Sequence, residues 1–284
     1  MLQKIRHTFE LVKFSHSLFA LPFALSSLLF ATNGHPSFKL LGLILLAMVT
    51  ARNAAMAFNR LVDADIDAKN PRTVSRHLPQ HLLSRRYVLI FIVINSILFI
   101  CISILFNTLS FILSPLALLL IFAYSLTKRF THITQIFLGF SLGISPIAAW
   151  VAATGHVAFP PMLIGLGVLF WVAGFDILYA TQDYEFDKKL GLKSLVVALG
   201  IRQAFVTSRI FHALSVISLL SFGLLFGANW IYQVTVVLIG FLLIWEHRLI
   251  GPNNLSRINA AFFTMNGLIG MSYLLGSFLC LTFS

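Results

Sequence analysis

Acidic residues are rare in this chain, and most of them fall in two short clusters. The 284 residues include nine Asp and Glu, and seven of these nine lie in the segments 63–67 and 176–187. Carboxylates brought together repel one another unless cations bridge them, and ligand sets made only of oxygen favour hard divalent ions such as Mg²⁺. Mg²⁺ usually keeps some waters and takes further oxygens from a substrate phosphate. The clusters therefore predict a Mg²⁺ site for a phosphorylated substrate.

Helical phase sorts the clustered acids into two stripes. On a helix that turns about 100° per residue, an arc of roughly 80° holds four side chains of the first cluster: Arg52, Asn59, Asp63 and Asp67. The second cluster repeats the offsets of seven and four residues within an arc of roughly 40°, through Asp176, Asp183 and Asp187. Asp65 and Glu185 point away from these stripes, and we interpret them as solvated charges at helix ends.

Basic residues surround both acidic clusters in the sequence. They exceed what neutralising the carboxylates requires, and a diphosphate is the polyanion that suits them. The candidates are Arg72, Arg76, Lys128, Arg129, Lys188, Lys189 and Lys193. Two alternatives stay open, namely the ordinary enrichment of Lys and Arg on the cytoplasmic side of a membrane protein and, for the acids, solvated helix ends.

The composition indicates a membrane protein. The chain is 58% hydrophobic and 10% charged, whereas soluble domains average about 25% charged residues. Apolar runs of about 20 residues, the length that crosses a bilayer, follow one another along the chain. The basic residues are spread between these runs and form no patch with aromatic residues, which argues against nucleic-acid binding. Cys101 and Cys280 lie in apolar segments without metal-ligand spacing and are interpreted as packing residues.

Polar, Gly, Pro and Asn residues separate the apolar runs, and this pattern predicts nine membrane-spanning helices in a single all-α domain, residues 1–284. Their approximate bounds are 14–32, 38–60, 87–106, 109–126, 131–153, 159–182, 205–226, 229–250 and 258–283. The first follows Lys4, Arg6 and Lys13, and we interpret it as a retained helix because no small-residue cleavage site follows it. In the fifth, Gly139, Gly143 and Pro146 favour either close helix packing or a kink.

The distribution of Lys and Arg predicts the orientation in the membrane. Nearly all of them lie on one side, in segments 1–13, 61–86, 127–130, 183–209 and 246–257. That side is predicted to be cytoplasmic, with the N-terminus there and the protein in the inner, or cytoplasmic, membrane. Both acidic clusters then lie at cytoplasmic ends of helices and can share one active site. The loops 61–86 and 183–204 are long enough to cap it.

Two motifs occupy the acidic clusters, Asn59-Arg-Leu-Val-Asp63-Ala-Asp-Ile-Asp67 and Asp183-Tyr-Glu-Phe-Asp187. With the segments 72–79, 124–131, 143–146 and 191–194, they resemble the UbiA family of membrane-embedded prenyltransferases. That family carries an NDxxDxxxD-like motif and a DxxxD motif, and the resemblance extends from about residue 10 to residue 280. Three positions depart from it: Arg60 replaces the second Asp, Ser125 a frequent Pro, and His81 a common Gly.

The resemblance implies nine transmembrane helices around a central cavity and the transfer of a polyprenyl group from polyprenyl diphosphate to an aromatic acceptor. The form of the first motif looks most like the 4-hydroxybenzoate polyprenyltransferase-like subgroup, which includes menaquinone enzymes of the futalosine route. The implied partners are polyprenyl diphosphate, an aromatic acid and membrane lipid, with Mg²⁺ as the cofactor. Quinone biosynthesis, of ubiquinone or menaquinone, is the expected setting.

The resemblance and the residue chemistry together assign a role to each candidate. Four carboxylates are expected to hold Mg²⁺: Asp63, Asp67, Asp183 and Asp187. The diphosphate is expected to contact Arg72, Arg76, Lys128 and Lys193. Arg52 and Asn59 would hold the carboxylate of the aromatic acid, with Tyr124 near its ring. Asp176 would lie near the metal or the departing ring proton, and an ion pair between Arg52 and Asp176 is the alternative.

Two other functions fit parts of the pattern. The same chemistry could act on another acceptor, such as a dihydroxynaphthoate, haem or chlorophyllide. A cation-coupled transporter also carries acidic and basic residues within the membrane. A transporter predicts carboxylates near the middle of the bilayer, whereas here they cluster at helix ends. The histidines show no zinc-site spacing and are interpreted as loop or interfacial residues.

Overall fold

The computed structural model describes residues 2–12, 19–252 and 254–283, and their regular structure is helical. The helices are α1 (Leu2–Leu11), α2 (Leu21–Ala31), α3 (Phe38–Asp67), α4 (Arg85–Ile104), α5 (Thr108–Thr127), α6 (Thr134–Thr154), α7 (Pro160–Ala180), α8 (Tyr184–Leu190), α9 (Leu195–Leu199), α10 (Ile201–Phe226), α11 (Trp230–Leu249) and α12 (Asn266–Thr282). A 3₁₀ turn, Thr181–Asp183, joins α7 to α8, and a π-helical turn, Ala260–Met265, precedes α12.

Eight helical segments of the described residues are long and apolar enough to cross a membrane, and α2 is a shorter apolar helix. This agrees with the predicted all-α membrane fold, and the predicted bounds of most spans are within a few residues of the helices. The start of the first predicted span, residues 14–18, and Lys13 lie outside the described residues. Cys280 is buried as predicted, whereas Cys101 is exposed on α4, so its interpretation as a packing residue is wrong.

Two compact units can be distinguished, and the first comprises residues 1–17 and 39–126. Its core is a small cluster in which Ala57 and Ala64 of α3 lie with Val88 and Ile92 of α4. The amide of Asn53 on α3 donates to Asn95 on α4 at 3.2 Å. These contacts fix the helix that carries the first acidic motif.

The helix α3 is 30 residues long and ends at Asp67, seven residues beyond the predicted end of its span. Pro71 disfavours helical geometry at the residue before it, and the side chain of that residue, Asn70, accepts a hydrogen bond from the backbone of Arg72 at 2.9 Å. The hydroxyl of Thr73 donates to the carbonyl of Asp67 at 3.0 Å and so satisfies the helix end. The acidic motif therefore lies on the last turns of a continuous helix.

The second unit comprises residues 18–38 and 127–284, and its core surrounds the buried Trp171 of α7. The helices α6 and α7 approach each other closely through glycines. A Cβ atom added at Gly139 would lie 2.2 Å from the carbonyl oxygen of Leu169, and one added at Gly143 would lie 2.6 Å from that of Gly165. Close packing is therefore the role of these two glycines.

Candidate active site

Asp63 and Asp67 lie one helical turn apart at the end of α3, and both are buried, at 3% and 5% exposure. The amide of Asn59, one turn earlier, donates to Asp63 Oδ2 at 3.4 Å. Two neighbouring buried carboxylates repel each other and lose hydration, so positive charge must compensate them. The first motif is thus a buried anionic site.

Arg76 supplies part of the compensating charge to Asp67. Its Nη1 atom lies 2.7 Å from both carboxylate oxygens of Asp67. The loop 68–84 positions Arg76, whose backbone N–H donates to the carbonyl of Thr73 at 3.0 Å. A predicted metal ligand and a predicted diphosphate ligand are therefore direct partners.

Arg60, which departs from the family motif, belongs to the same cluster and was not among the predicted site residues. It is buried, at 7% exposure, and interacts electrostatically with Asp63 and Asp67. Its helical phase, roughly 20° from that of Asp67, could have revealed this position. Arg60, Asp67 and Arg76 line one cavity of about 140 Å³, so two guanidinium groups and a carboxylate face the same space.

Arg52 lies two turns before Asn59 on α3 and is half-buried. Its Nε atom is buried and finds no hydrogen-bond partner among the described residues, while Tyr124 of α5 interacts with it electrostatically. An unsatisfied buried donor costs free energy unless a ligand accepts from it. Arg52 can therefore bind an anion such as a carboxylate. By contrast, Arg72 is exposed on the loop 68–84.

The acids of the second motif lie along α7, the 3₁₀ turn and α8. Asp176, Asp183 and Asp187 are each half-buried. The arc of roughly 40° predicted for them is wrong, because a 3₁₀ turn advances about 120° per residue and Thr181–Asp183 is such a turn. With that turn included, the three carboxylates spread over an arc of roughly 80°.

The two acids set aside as solvated charges are indeed exposed. Asp65 has a side-chain exposure of 77% and forms an ion pair with Arg85, and Glu185 is exposed on α8. Both lie within a few residues of the candidate metal ligands in sequence. They are therefore suitable controls for substitutions in the two motifs.

Lys128 and Lys193, both predicted to bind diphosphate, lie together in the second unit. The backbone N–H of Lys193 donates to the carbonyl of Lys128 at 2.8 Å, and its Nζ atom donates to the carbonyl of Phe130 at 3.2 Å. The side chain of Gln135 accepts from the backbone of Leu195 at 3.0 Å. Two loops thus hold both cations in one basic patch.

Comparison with known proteins decides the family. The model of the UbiA prenyltransferase family matches residues 20–268. This chain belongs to the UbiA prenyltransferase family. It is therefore a prenyltransferase, which decides against the cation-coupled transporter.

Individual UbiA proteins agree with this assignment. A 4-hydroxybenzoate octaprenyltransferase from Vibrio atlanticus is 26% identical over 253 residues, covering 89% of this chain and 88% of the relative. The apo structure of a UbiA homolog from Aeropyrum pernix superposes with a TM-score of 0.83 at 30% identity, over 92% of this chain and 96% of that one. A UbiA homolog from Archaeoglobus fulgidus bound to GPP and Mg²⁺ has a TM-score of 0.75 at 22% identity, over 97% and 99% of the two chains.

One departure from the UbiA pattern has a conformational explanation. His81, in the position of a common Gly, has a φ of 55°. This left-handed conformation costs an L-residue roughly 1–2 kcal/mol, whereas Gly adopts it readily. The loop 68–84 therefore keeps a turn suited to Gly even where His stands in its place.

The donor set of the two UbiA motifs fits Mg²⁺. Mg²⁺ takes oxygen ligands and few protein carboxylates, and the motifs offer Asp63, Asp67, Asp183 and Asp187. Burial of the first two makes cationic compensation necessary. Arg76 compensates Asp67, and Arg60 interacts electrostatically with both carboxylates.

Proposed function

We propose that this UbiA protein transfers a polyprenyl group from polyprenyl diphosphate to a 4-hydroxybenzoate-type aromatic acid, with Mg²⁺ as its cofactor, in quinone biosynthesis. The observation that carries the proposal is the buried cluster of Asp63, Asp67, Arg60 and Arg76 beside a cavity. Carboxylates for a metal and guanidinium groups for phosphate oxygens are both needed to bind a metal diphosphate. The names of the curated relatives, 4-hydroxybenzoate octaprenyltransferases, support the same substrates.

The reaction breaks the bond between the prenyl C1 atom and the diphosphate oxygen. The electron pair leaves with the diphosphate, and donors placed around its oxygens stabilise that developing charge. Mg²⁺, when bound to the Asp residues, neutralises part of this charge. Arg60 and Arg76 line a cavity where phosphate oxygens can accept their hydrogen bonds. Lys128 and Lys193 are the further proposed ligands of the diphosphate.

The aromatic acid then attacks the allylic cation through a ring carbon, and that carbon loses its proton. A guanidinium group matches a carboxylate in shape and charge, so we assign the carboxylate of the acid to Arg52, with Asn59 beside it. Tyr124 interacts with Arg52 and would lie against the ring. Asp176 is the proposed acceptor of the ring proton or a neighbour of the metal.

The proposed site lies on the cytoplasmic side of the membrane. The segments 61–86 and 183–209, which flank the acidic motifs, carry ten of the twenty Lys and Arg residues, and segments rich in these residues stay in the cytoplasm. Arg72, exposed on the loop 68–84, would meet an incoming diphosphate first. Labelling of single-cysteine variants from either side of sealed vesicles tests this orientation.

The test of this function is a competition between acceptors. Purified protein is given Mg²⁺, a polyprenyl diphosphate and an equimolar mixture of 4-hydroxybenzoate and dihydroxynaphthoate, and the product is identified by mass. We expect prenylated 4-hydroxybenzoate and no product without Mg²⁺. If prenylated dihydroxynaphthoate is the only product, the acceptor is dihydroxynaphthoate and the proposed acceptor is wrong. The absence of any prenylated product would contradict the proposed reaction.

A further inference from the structure

A second group of possible metal ligands lies outside the acidic motifs, in the first unit. His7 and Glu10 of α1 meet His77 of the loop 68–84, and their ligand atoms all lie within 4.8 Å of one another. Glu10 Oε2 lies 3.1 Å from His77 Nε2 and 3.6 Å from His7 Nδ1. One carboxylate oxygen is thus shared by two imidazole rings.

Two of the three separations between the ligand atoms suit a tetrahedral metal ion. Ligand atoms at 2.0–2.1 Å from a tetrahedral Zn²⁺ ion are separated by about 3.3–3.4 Å, close to the two separations from Glu10 Oε2. Imidazole and carboxylate together favour Zn²⁺ and similar transition metals, whereas Mg²⁺ prefers oxygen alone. The group therefore differs in chemistry from the Asp residues of the motifs.

The neighbours of the three ligands hold them in place. Next to His7, the hydroxyl of Thr8 shares a hydrogen bond of 3.0 Å with that of Tyr87. Leu11 and Leu78, adjacent to the other two ligands, are both buried in the core of this unit. Positions fixed in this way reduce the entropy lost when a metal binds.

The contacts of Glu10 leave one of its oxygens beside the two imidazole rings. Arg6 donates to Glu10 Oε1 at 2.8 Å, whereas Oε2 lies next to His77 and His7. The Nδ1 atom of His7 is buried and has no hydrogen-bond partner among the described residues, so the tautomer protonated at Nε2 can offer this nitrogen to a metal.

We propose that His7, Glu10 and His77 bind one divalent transition-metal ion of the Zn²⁺ type, with water as a fourth ligand. The ion links α1 to the loop 68–84, which also carries Arg76. Glu10 and His77 line the cavity that Asp67 and Arg76 line, so the ion would stabilise the wall of that cavity. This site is independent of the acceptor and of the proposed transfer reaction.

The experiment is a Zn²⁺ titration of the tag-free, full-length protein in detergent, with excess Mg²⁺ to saturate the carboxylate sites. Calorimetry should give one Zn²⁺ per chain. His77→Gln and Glu10→Gln should each weaken binding by at least about 10-fold. His35→Gln, an exposed histidine on the α2–α3 loop, should bind Zn²⁺ like the wild type.

X-ray absorption of the Zn²⁺-loaded wild type avoids the risk that a variant misfolds. Two imidazole ligands and one or two oxygen ligands are expected in its spectrum. No Zn²⁺ binding at micromolar concentration, a spectrum with oxygen ligands only, or equal affinity in folded Glu10→Gln would each overturn the site. Activity is not the readout, so failure of the site and failure of the transferase function are distinguishable.

Discussion

Arg76 donates from a single nitrogen, Nη1, to both carboxylate oxygens of Asp67 at 2.7 Å. The contact joins the last residue of α3 to the loop that follows it. Asp67 is buried and Arg76 is mostly buried. Removing one partner of such an ion pair strongly destabilises the fold, because the other charge stays buried without compensation. The same pair couples the proposed metal ligands to the proposed diphosphate ligands, because a phosphate that binds Arg76 must compete with Asp67.

The ion pair between Asp67 and Arg76 is predicted to stabilise the fold. Arg76→Gln should lower the free energy of unfolding by about 3 kcal/mol, since it leaves the Asp67 carboxylate buried without its partner. The double variant with Asp67→Asn should recover part of the loss. Thermal unfolding in detergent of both single variants and the double variant gives the coupling energy, expected within about 0.5–3 kcal/mol. Strictly additive losses would mean that the two side chains do not stabilise each other.

Arg60 is predicted to be a diphosphate ligand. Arg60→Gln should raise the KM for polyprenyl diphosphate by about 10- to 100-fold, the loss expected for a hydrogen bond to a charged group. The KM for the aromatic acid should stay near that of the wild type. Steady-state kinetics with each substrate varied in turn measures the difference. Arg85→Gln, which removes an exposed partner of Asp65, is the matched control, and an equal effect in both variants would contradict the assignment.

Arg52 is predicted to bind the aromatic acid. Its buried, unsatisfied Nε atom is assigned to the carboxylate of the aromatic acid, so Arg52→Gln should weaken acceptor binding by about 10- to 100-fold. Metal-dependent binding of the diphosphate should survive, and equilibrium binding of each substrate checks both statements. If acceptor affinity is unchanged while diphosphate binding survives, the carboxylate is held elsewhere, and an ion pair with Asp176 becomes the better account of Arg52.

The glycines between α6 and α7 give a prediction about packing. The Cβ atom added in Gly143→Ala would lie 2.6 Å from a backbone oxygen, so the helices must separate, at a cost of about 1–3 kcal/mol. Gly42→Ala on α3 meets no atom within 4 Å and should be neutral or slightly stabilising. Unfolding temperatures of the two variants in the same detergent test this, and equal temperatures would rule out close packing at Gly143.

Much of the fold follows from the sequence, because the membrane imposes a simple rule. Apolar runs long enough to cross it mark the helices, and the bounds of α4, α5 and α11 differ from the predicted ones by at most a few residues. The end of α3 was harder to predict, since its last turns are polar and resemble a loop. The 3₁₀ turn at Thr181–Asp183 leaves no clear mark in composition or periodicity.

The part of the candidate site that lies on one face of a single helix was predictable from helical phase alone. Asn59 and Asp63 follow this rule, and so does Arg60, whose helical phase is close to that of Asp67. The partnership of Asp67 with Arg76 depends on the path of the loop 68–84, which local sequence does not determine. The meeting of His7 and Glu10 with His77 depends on tertiary packing, because the ligands lie about 70 positions apart in the chain.

The most direct test of the proposed active site compares one acid of each motif with an exposed neighbour in the sequence. Prenyl transfer is measured against Mg²⁺ concentration for Asp63→Asn and Asp183→Asn, with Asp65→Asn and Glu185→Gln as controls of equal charge change. Removal of a metal-binding carboxylate should reduce turnover by at least about 100-fold, while both controls should keep wild-type turnover and Mg²⁺ dependence. Wild-type turnover in both folded motif variants would contradict the assignment of these acids to the active site.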